Sequence, residues 1–134
     1  MPIVADAKEA VTKMLEYVTP FETGKWLDTI EDWKAEHPLK MKKKPIMTPQ
    51  DVIETINRIF DEAIIVTDVG QHQMFTAQHL KVEYAHQLIT SGGLGTMGFG
   101  LPAAMGAKLA KPEKTVLLVA GDGGFKMTGS ELFT

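Results

Sequence analysis

The sequence predicts an α/β protein in which helices flank a parallel sheet, and two observations support this fold class. Runs of aliphatic and β-branched residues, typical of strands buried on both faces of a parallel sheet, occur at residues 63–67 and 115–120. Segments with apolar residues at helical spacing alternate with such runs along the second part of the chain. This alternation of strands and helices is typical of parallel α/β architectures.

The first part of the chain predicts two helices. Asp6 is placed to cap a helix over residues 7–18, which Thr19 and Pro20 end. A second helix is predicted over residues 25–36, with Trp26 and Trp33 on one face. Two tryptophans on one stripe need a partner surface to bury them.

Residues 40–45 predict a linker between one domain at residues 1–39 and another at 46–134. Prolines flank the segment, and four of its residues are lysine: Lys40, Lys42, Lys43 and Lys44. This composition favours an exposed connection without regular structure. A nucleic-acid-binding patch is the alternative interpretation, but no aromatic residues interleave with the lysines and the net charge is -3.

Beyond the linker, the pattern predicts strands separated by helices. Thr48 can cap a helix that has Pro49 at its first position, and a strand follows at residues 63–67. The remaining elements are a helix at 71–80, a strand at 87–90, a helix at 101–110, a strand at 115–120 and a further helix that begins near Ser130. That last helix has only about one turn before the chain stops, so we expect the sequence to end within an element.

The composition excludes several classes of function. The chain has no cysteine, which excludes disulfide frameworks, thiolate zinc sites and cysteine nucleophiles. Lys and Arg number 14 against 17 for Asp and Glu, and this mild acidity argues against a nucleic-acid partner. The longest aliphatic run, at residues 116–120, is far short of a membrane span, and no signal-peptide core precedes it. We therefore expect no membrane partner and a cytoplasmic location.

Three glycine-containing loops follow the predicted strands, at residues 68–72, 91–100 and 121–124. Ligands of parallel α/β sheets bind beyond the carboxyl ends of the strands, where these loops would meet. Glycines allow the backbone to approach a ligand closely, and two of the loops lead into helix N-termini, whose N–H groups attract anions. The three loops therefore predict a site for a phosphorylated ligand.

Several residues in these loops allow two interpretations. Asp122, which has a glycine on each side, could bind Mg²⁺ or could serve as a turn or capping aspartate. Gln71 and His72 could bind phosphate oxygens or could be ordinary polar residues of a first helical turn, and Met97 could be a core filler. Residues 93–98 match the dinucleotide fingerprint GxGxxG, but Glu113, the acidic residue nearest the expected ribose position, falls in a turn, and Asp122, which does follow a strand, is rather distant.

Taken together, the three loops closely resemble motifs of the acetolactate synthase family, whose catalytic subunits are thiamine-diphosphate enzymes. The matching motifs are Asp68–Met74, Thr90–Ala104 and Gly121–Gly123. The resemblance implies that residues 46–134 form the first half of the thiamine-diphosphate-binding domain and that residues 1–39 form the helical end of a central domain. It also implies condensation of two pyruvates, or of pyruvate and 2-oxobutyrate, with loss of carbon dioxide, in branched-chain amino acid biosynthesis.

The resemblance implies roles for individual residues at the cofactor diphosphate. Asp122 would be the first protein ligand to magnesium. Gly70, Gln71 and His72 would hold the diphosphate from one side, and Gly123 and Gly124 would present backbone N–H groups from the other. Gly124 departs from the family pattern, which most often has serine there.

Two further residues, Met97 and Gly95, would act on the reactive part of the cofactor. Thr96, which lies between them in the sequence, would also bind the cofactor. Met97 would be the wedge that forces the cofactor into a bent conformation. The Gly95 carbonyl would accept a hydrogen bond from the aminopyrimidine amino group, which holds that group near the thiazolium carbon.

The resemblance also implies parts of a parent enzyme that these residues do not supply. These are an FAD site, a downstream Asn-Asn pair, an activating glutamate, a possible regulatory subunit and assembly into a homodimer or tetramer. We therefore expect this polypeptide to be inactive alone. Other interpretations are a pyruvate oxidase or 2-oxo acid decarboxylase, a Rossmann-type nucleotide-binding module, and a structural piece that binds nothing.

Overall fold

A computed structural model describes residues 2–39 and 45–133, and the chain divides into two units, Met1–Pro38 and Leu39–Thr134. Residues 40–44 of the predicted linker lie outside the described part. The linker and the domain limits that depend on it therefore stay predictions.

The first unit contains two helices, α1 (Ala7–Leu15) and α2 (Gly24–Glu36). The Asp6 carboxylate caps α1 by accepting hydrogen bonds from the N–H groups of Lys8 and Glu9, at 3.0 and 3.2 Å. The predicted end of this helix at residue 18 is wrong, because α1 stops at Leu15. None of its residues is buried, so tertiary packing does not extend a helix of marginal length.

The two tryptophans of α2 contact each other. The rings of Trp26 and Trp33 meet edge to face, with centroids 5.7 Å apart and planes at 88°. This arrangement is favourable for aromatic quadrupoles. Both side chains are still more than half exposed within the described residues.

The second unit is a three-layer α/β/α structure. Its elements are α3 (Pro49–Ile59), β1 (Ile64–Thr67), α4 (Gln71–His79), β2 (Leu88–Thr90), α5 (Gly100–Ala110), β3 (Val116–Val119), α6 (Asp122–Thr128) and a 3₁₀-helix (Gly129–Phe133). The strands are parallel in the order β2-β1-β3. The predicted fold class is therefore confirmed.

The central strand β1 is buried on both faces, as the aliphatic run predicts. Ile65 points to one face and packs with Ile53 and Ile56 of α3. Ile64 and Val66 point to the other face, where they pack with Ala104 of α5. The alternation follows from the two-residue period of a strand, and it places the core on both sides of one four-residue segment.

Helix α3 begins where the sequence predicts. The Thr48 side chain accepts from the N–H of Asp51, and the Asp51 carboxylate accepts from the Thr48 N–H at 2.7 Å. This reciprocal capping box, with Pro49 in the first turn, satisfies N–H groups that have no partner within the helix.

The helix predicted to begin near Ser130 is wrong in its position. The structure has α6 from Asp122, directly after β3, and only a 3₁₀-helix at Gly129–Phe133. Gly123 and Gly124 lower the intrinsic helix propensity of this segment, which hides it from a local pattern. Packing of α6 against α5 compensates for this in the folded chain.

The strand order predicts a crevice at the carboxyl end of the sheet. Helix α4, which follows β1, packs with α3 on one face, and α6, which follows β3, packs with α5 on the other. Connections that leave two neighbouring strands toward opposite faces open a crevice between their carboxyl ends, where open α/β sheets bind ligands. The crevice therefore lies beyond Thr67 and Val119.

Candidate functional site

The structure brings the starts of the three glycine loops to the same edge of the sheet. In the parallel register, Thr67 pairs with Thr90 on one side and with Val119 on the other. The loops at 68–72, 91–100 and 121–124 follow these three strand ends. Residues that are far apart in the sequence consequently become neighbours.

The first loop enters α4 through Gly70, which has a φ of +154°. A Cβ at this position would lie 2.9 Å from Cε1 of His72, and one at Gly121 would lie 3.1 Å from the same atom. The His72 ring thus lies against the backbones of both loops. Its Nε2 is buried and has no hydrogen-bond partner within the described residues. Gln71, by contrast, is exposed.

The second loop is a turn in which two glycines with positive φ enclose Thr96 and Met97. Gly95 has a φ of +64° and Gly98 one of +85°, values that residues with a side chain rarely adopt. The Ser91 carbonyl accepts from the N–H of Gly95, and the Ser91 hydroxyl accepts from the N–H of Thr96, each at 3.1 Å. These contacts close the loop on itself and fix the backbone before Met97.

Met97 reaches from the second loop to the third. It is 45% exposed, and a Cβ built on Gly123 would lie 3.1 Å from its terminal methyl carbon. The side chain is therefore not a core filler. It lies over the first turn of α6 with part of its surface open to solvent.

Asp122 is the first residue of α6, and its side chain points to solvent. The side chain is 93% exposed, and its carboxylate lies 3.9 Å from the Lys126 ammonium group, one turn along the helix. In residues 2–39 and 45–133, no group of three or more His, Asp or Glu side chains is placed to hold a metal ion. A cation at Asp122 would therefore take most of its ligands from another molecule or from water.

The structure places a buried carboxylate, that of Asp68, at the centre of the three loops, and the sequence did not predict Asp68 as a site residue. Asp68 is 1% exposed and accepts from the N–H of Gly98 at 3.1 Å to each carboxylate oxygen. It also accepts from Gly100 at 2.9 Å and from Val69 at 2.7 Å. The local signal for it is slight: an acidic residue directly after a strand buried on both faces.

Two further polar contacts between elements are also not predicted by the sequence patterns. The Thr128 hydroxyl donates to the Gly98 carbonyl at 3.2 Å and so joins the end of α6 to the second loop. The Gln73 amide donates to the Thr90 hydroxyl at 2.9 Å and joins α4 to the end of β2. Both pairs are far apart in sequence, so no local motif shows them.

Comparison with protein families decides the class of the chain. Residues 68–134, half of the sequence, match the family described as thiamine pyrophosphate enzyme, C-terminal TPP binding domain. The chain belongs to this family. The matched region begins at Asp68 and includes all three loops, so the family's TPP-binding domain contains every element of the candidate site.

Several curated proteins to which the chain is similar are acetolactate synthases. The chain is 46% identical to the large subunit of Lactococcus lactis over 98% of its own length, and 45% identical to that of isozyme 3 of Escherichia coli over 100%. It is 43% identical to the mitochondrial catalytic subunit of Saccharomyces cerevisiae over 97%. The matched segments make up 24%, 25% and 20% of those proteins, so the chain spans about a quarter of their length or less.

The residues at this edge suit a diphosphate with a divalent cation. Gly70, Gly121 and Gly123 leave the backbone without a side chain at positions where a Cβ would lie only 2.9 to 3.1 Å from His72 or Met97. Mg²⁺ prefers few protein carboxylates together with phosphate oxygens, which matches the exposed carboxylate of Asp122.

In the described residues, no helix is both long and apolar enough to span a membrane.

The ionisation of Asp68 connects this site to the stability of the fold. Burial alone would raise the pKa of Asp68, but N–H groups of Val69, Gly100 and Gly98 and the charge of His72 outweigh it and hold the pKa below its usual value. Hydrogen bonds to the ionised form act in this direction. Because the unfolded chain has an Asp pKa of about 3.9, ionised Asp68 stabilises the fold above that pH. This contribution is lost as the pH falls through the lower folded-state pKa.

We expect a pH-dependent difference in melting temperature between the protein and its Asp68→Asn variant. The difference is constant between about pH 5 and 7 and narrows below about pH 4, where the carboxylate of the unfolded chain protonates while the native carboxylate is still ionised. Thermal unfolding from pH 2 to 7, followed by far-UV circular dichroism, measures it. A difference that stays the same down to pH 2 would contradict the stabilising role of the ionised form.

Proposed function

We propose that the three loops bind the diphosphate of thiamine diphosphate together with Mg²⁺, as part of an acetolactate synthase catalytic subunit. The observation that carries this proposal is the meeting of the loops at the crevice beyond β1 and β3. Similarity to acetolactate synthases along nearly the whole chain supports the choice of reaction. The substrates are 2-oxo acids, two of which are condensed with loss of carbon dioxide.

Asp122 would hold Mg²⁺ through its carboxylate, since this cation prefers few protein ligands beside phosphate oxygens. The exposed position of this carboxylate at the start of α6 allows that approach. Gly70 and Gln71 bind the diphosphate from the α4 side, where the helix N-terminus directs N–H groups outward. Gly123 lets the backbone approach the diphosphate from the α6 side, since a side chain at this position would contact Met97.

Met97 and Gly95 hold the organic part of the cofactor. The Met97 side chain stands between the second loop and α6, where it would support the thiamine part of the cofactor. The Gly95 carbonyl would accept a hydrogen bond from the aminopyrimidine. When bound, the cofactor supplies the thiazolium carbon and the electron sink for decarboxylation. The chain's own part is to orient these groups, which lowers the entropic cost of the reaction.

The names of the bacterial relatives extend the proposal to a partner. Both are called large subunits, which supports a small subunit as a partner of the protein that contains this chain.

Calorimetric titration of the 134-residue polypeptide with thiamine diphosphate tests the proposal. We expect binding only when Mg²⁺ is present, and an affinity at least about tenfold lower in Asp122→Ala, because one charged ligand to the metal is lost. Glu113→Ala is the matched control, since Glu113 is exposed and lies before the amino-terminal end of β3, at the end of the sheet opposite to the loops.

Other outcomes would contradict the proposal. Binding of thiamine diphosphate that does not depend on Mg²⁺, or an equal loss of affinity in Glu113→Ala, would show that Asp122 is not a ligand to the metal. Binding of NAD that is indifferent to Mg²⁺ would instead support a Rossmann-type module. Absence of any binding would show that these residues do not bind the cofactor by themselves, which contradicts the proposal.

A further inference from the structure

Asp68 is the point at which all three loops meet. Its carboxylate is buried, and it accepts four hydrogen bonds from three backbone N–H groups, two of which belong to the second loop. No side chain donates to it within the described residues. A carboxylate with both oxygens occupied by backbone N–H groups holds those groups in one geometry, because charged hydrogen bonds are short and strong.

Glycines surround this carboxylate on the other sides. A Cβ built on Gly124 would overlap the Asp68 carboxylate, and one on Gly100 would lie 2.9 Å from Asp68 Cβ. The third loop therefore packs its backbone directly against Asp68. A residue with a side chain therefore does not fit at Gly124 unless the carboxylate moves.

The contact with Gly98 determines the position of Met97. The N–H of Gly98 belongs to the peptide group that joins it to Met97, and both Asp68 oxygens hold this N–H at 3.1 Å. On the other side of Gly98, its carbonyl accepts from Thr128. The backbone after Met97 is thus anchored at two points, and the side chain is directed toward Gly123.

We propose that Asp68 is a positioning residue that acts through Met97: its buried carboxylate fixes the Met97–Gly98 peptide so that the methionine supports the thiamine part of the cofactor. This inference rests on the proposed function. It assigns to Asp68 no contact with the cofactor, because the carboxylate lies beneath the loops. It separates recognition of the diphosphate, by the first and third loops, from recognition of the rest of the cofactor, by the second.

The test compares two probes, thiamine diphosphate and inorganic diphosphate, each titrated calorimetrically in the presence of Mg²⁺. In Asp68→Asn, one carboxylate oxygen becomes an NH₂ group that faces backbone N–H groups, so the Gly98 N–H keeps only one of its two acceptor oxygens and loses the charge that strengthened the bond. We expect the affinity for thiamine diphosphate to fall about tenfold and that for inorganic diphosphate to change by less than about twofold. Asp61→Asn, an exposed aspartate of the same unit, is the control for removal of charge and should change neither.

A double-mutant cycle distinguishes positioning from a merely structural role. Met97→Ala alone should lower the affinity for thiamine diphosphate, and Asp68→Asn should add little to it if Asp68 acts through Met97. Asp68→Ala, which removes the carboxylate without introducing an NH₂ group, should give the same pattern. Losses that simply add, or equal losses for both probes, would overturn the inference.

The remaining outcomes are also decisive. If both Asp68 variants lose their far-UV circular dichroism, the residue serves the fold as a whole and the inference is overturned. If the unmodified protein binds thiamine diphosphate but the cycle is additive, only the inference fails. If the unmodified protein binds neither probe with Mg²⁺, the proposed function fails and the inference fails with it.

Discussion

The Gly100→Ala substitution is expected to lower the free energy of unfolding of the second unit by about 3 kcal/mol, near the upper end for overpacking in a core. The added Cβ would lie 2.8 Å from Leu118 Cδ1 and 2.9 Å from both Cβ and N of Asp68. The leucine can rotate away. The Asp68 nitrogen cannot, because it donates to the Val119 carbonyl at 2.9 Å as part of the sheet.

The same helix offers the matched control. Gly106 also lies in α5, and a Cβ there would meet nothing within 4 Å. Gly106→Ala should therefore raise the free energy of unfolding by about 1 kcal/mol, because alanine has the higher helix propensity. Urea unfolding followed by far-UV circular dichroism measures both variants. Changes of the same sign in the two would contradict the packing described around Gly100.

The second large effect is expected from Ile65→Ala, which should lower the free energy of unfolding by about 4 kcal/mol. Ile65 is fully buried in the central strand and packs with Ile53, Ile56 and Ala63. Ile53 and Ile56 belong to α3 and Ala63 directly precedes β1, so these neighbours are fixed by the backbone and cannot collapse easily into the cavity. Such a loss is a large fraction of the stability of a domain of this size.

Ile59→Ala is the control for the loss of Ile65. Ile59 is the last residue of α3 and is 58% exposed, so its removal should cost less than about 0.5 kcal/mol. Hydrogen exchange of the β1 amides provides a second measurement, because these amides open only with the whole unit. Similar protection of β1 in the two variants would be evidence against a core centred on Ile65.

Local patterns were sufficient for the elements that carry strong signals of their own. The capping box of Thr48 and Asp51 locates the start of α3, and the aliphatic run before Asp68 locates β1, because these signals act within a few residues. The ends of weakly supported elements were not predictable in this way. Helix α1 stops at Leu15 because none of its residues is buried in the part of the chain that the structure describes, and α6 forms despite two glycines because α5 packs on it.

The residues of the candidate site also fall into those that local patterns predict and those that they do not. The glycine loops and Asp122 follow from their positions after predicted strands, since parallel strands bring their carboxyl ends to one edge. Asp68 does not follow from any such rule. Its partners Gly98 and Gly100 are 30 and 32 positions away in the sequence, and its contact with Gly124 forms only when β3 pairs beside β1.

The sequence by itself therefore determined the fold class, the order of strands and helices, the three loops and their relation to thiamine-diphosphate enzymes, since each depends on residues close together in the chain. The tertiary structure decided which carboxylate joins the loops, which glycines have no room for a side chain and where Met97 points. The physical reason is that hydrogen bonds to a buried carboxylate and close backbone packing depend on distances between segments. Those distances are set only when the sheet assembles.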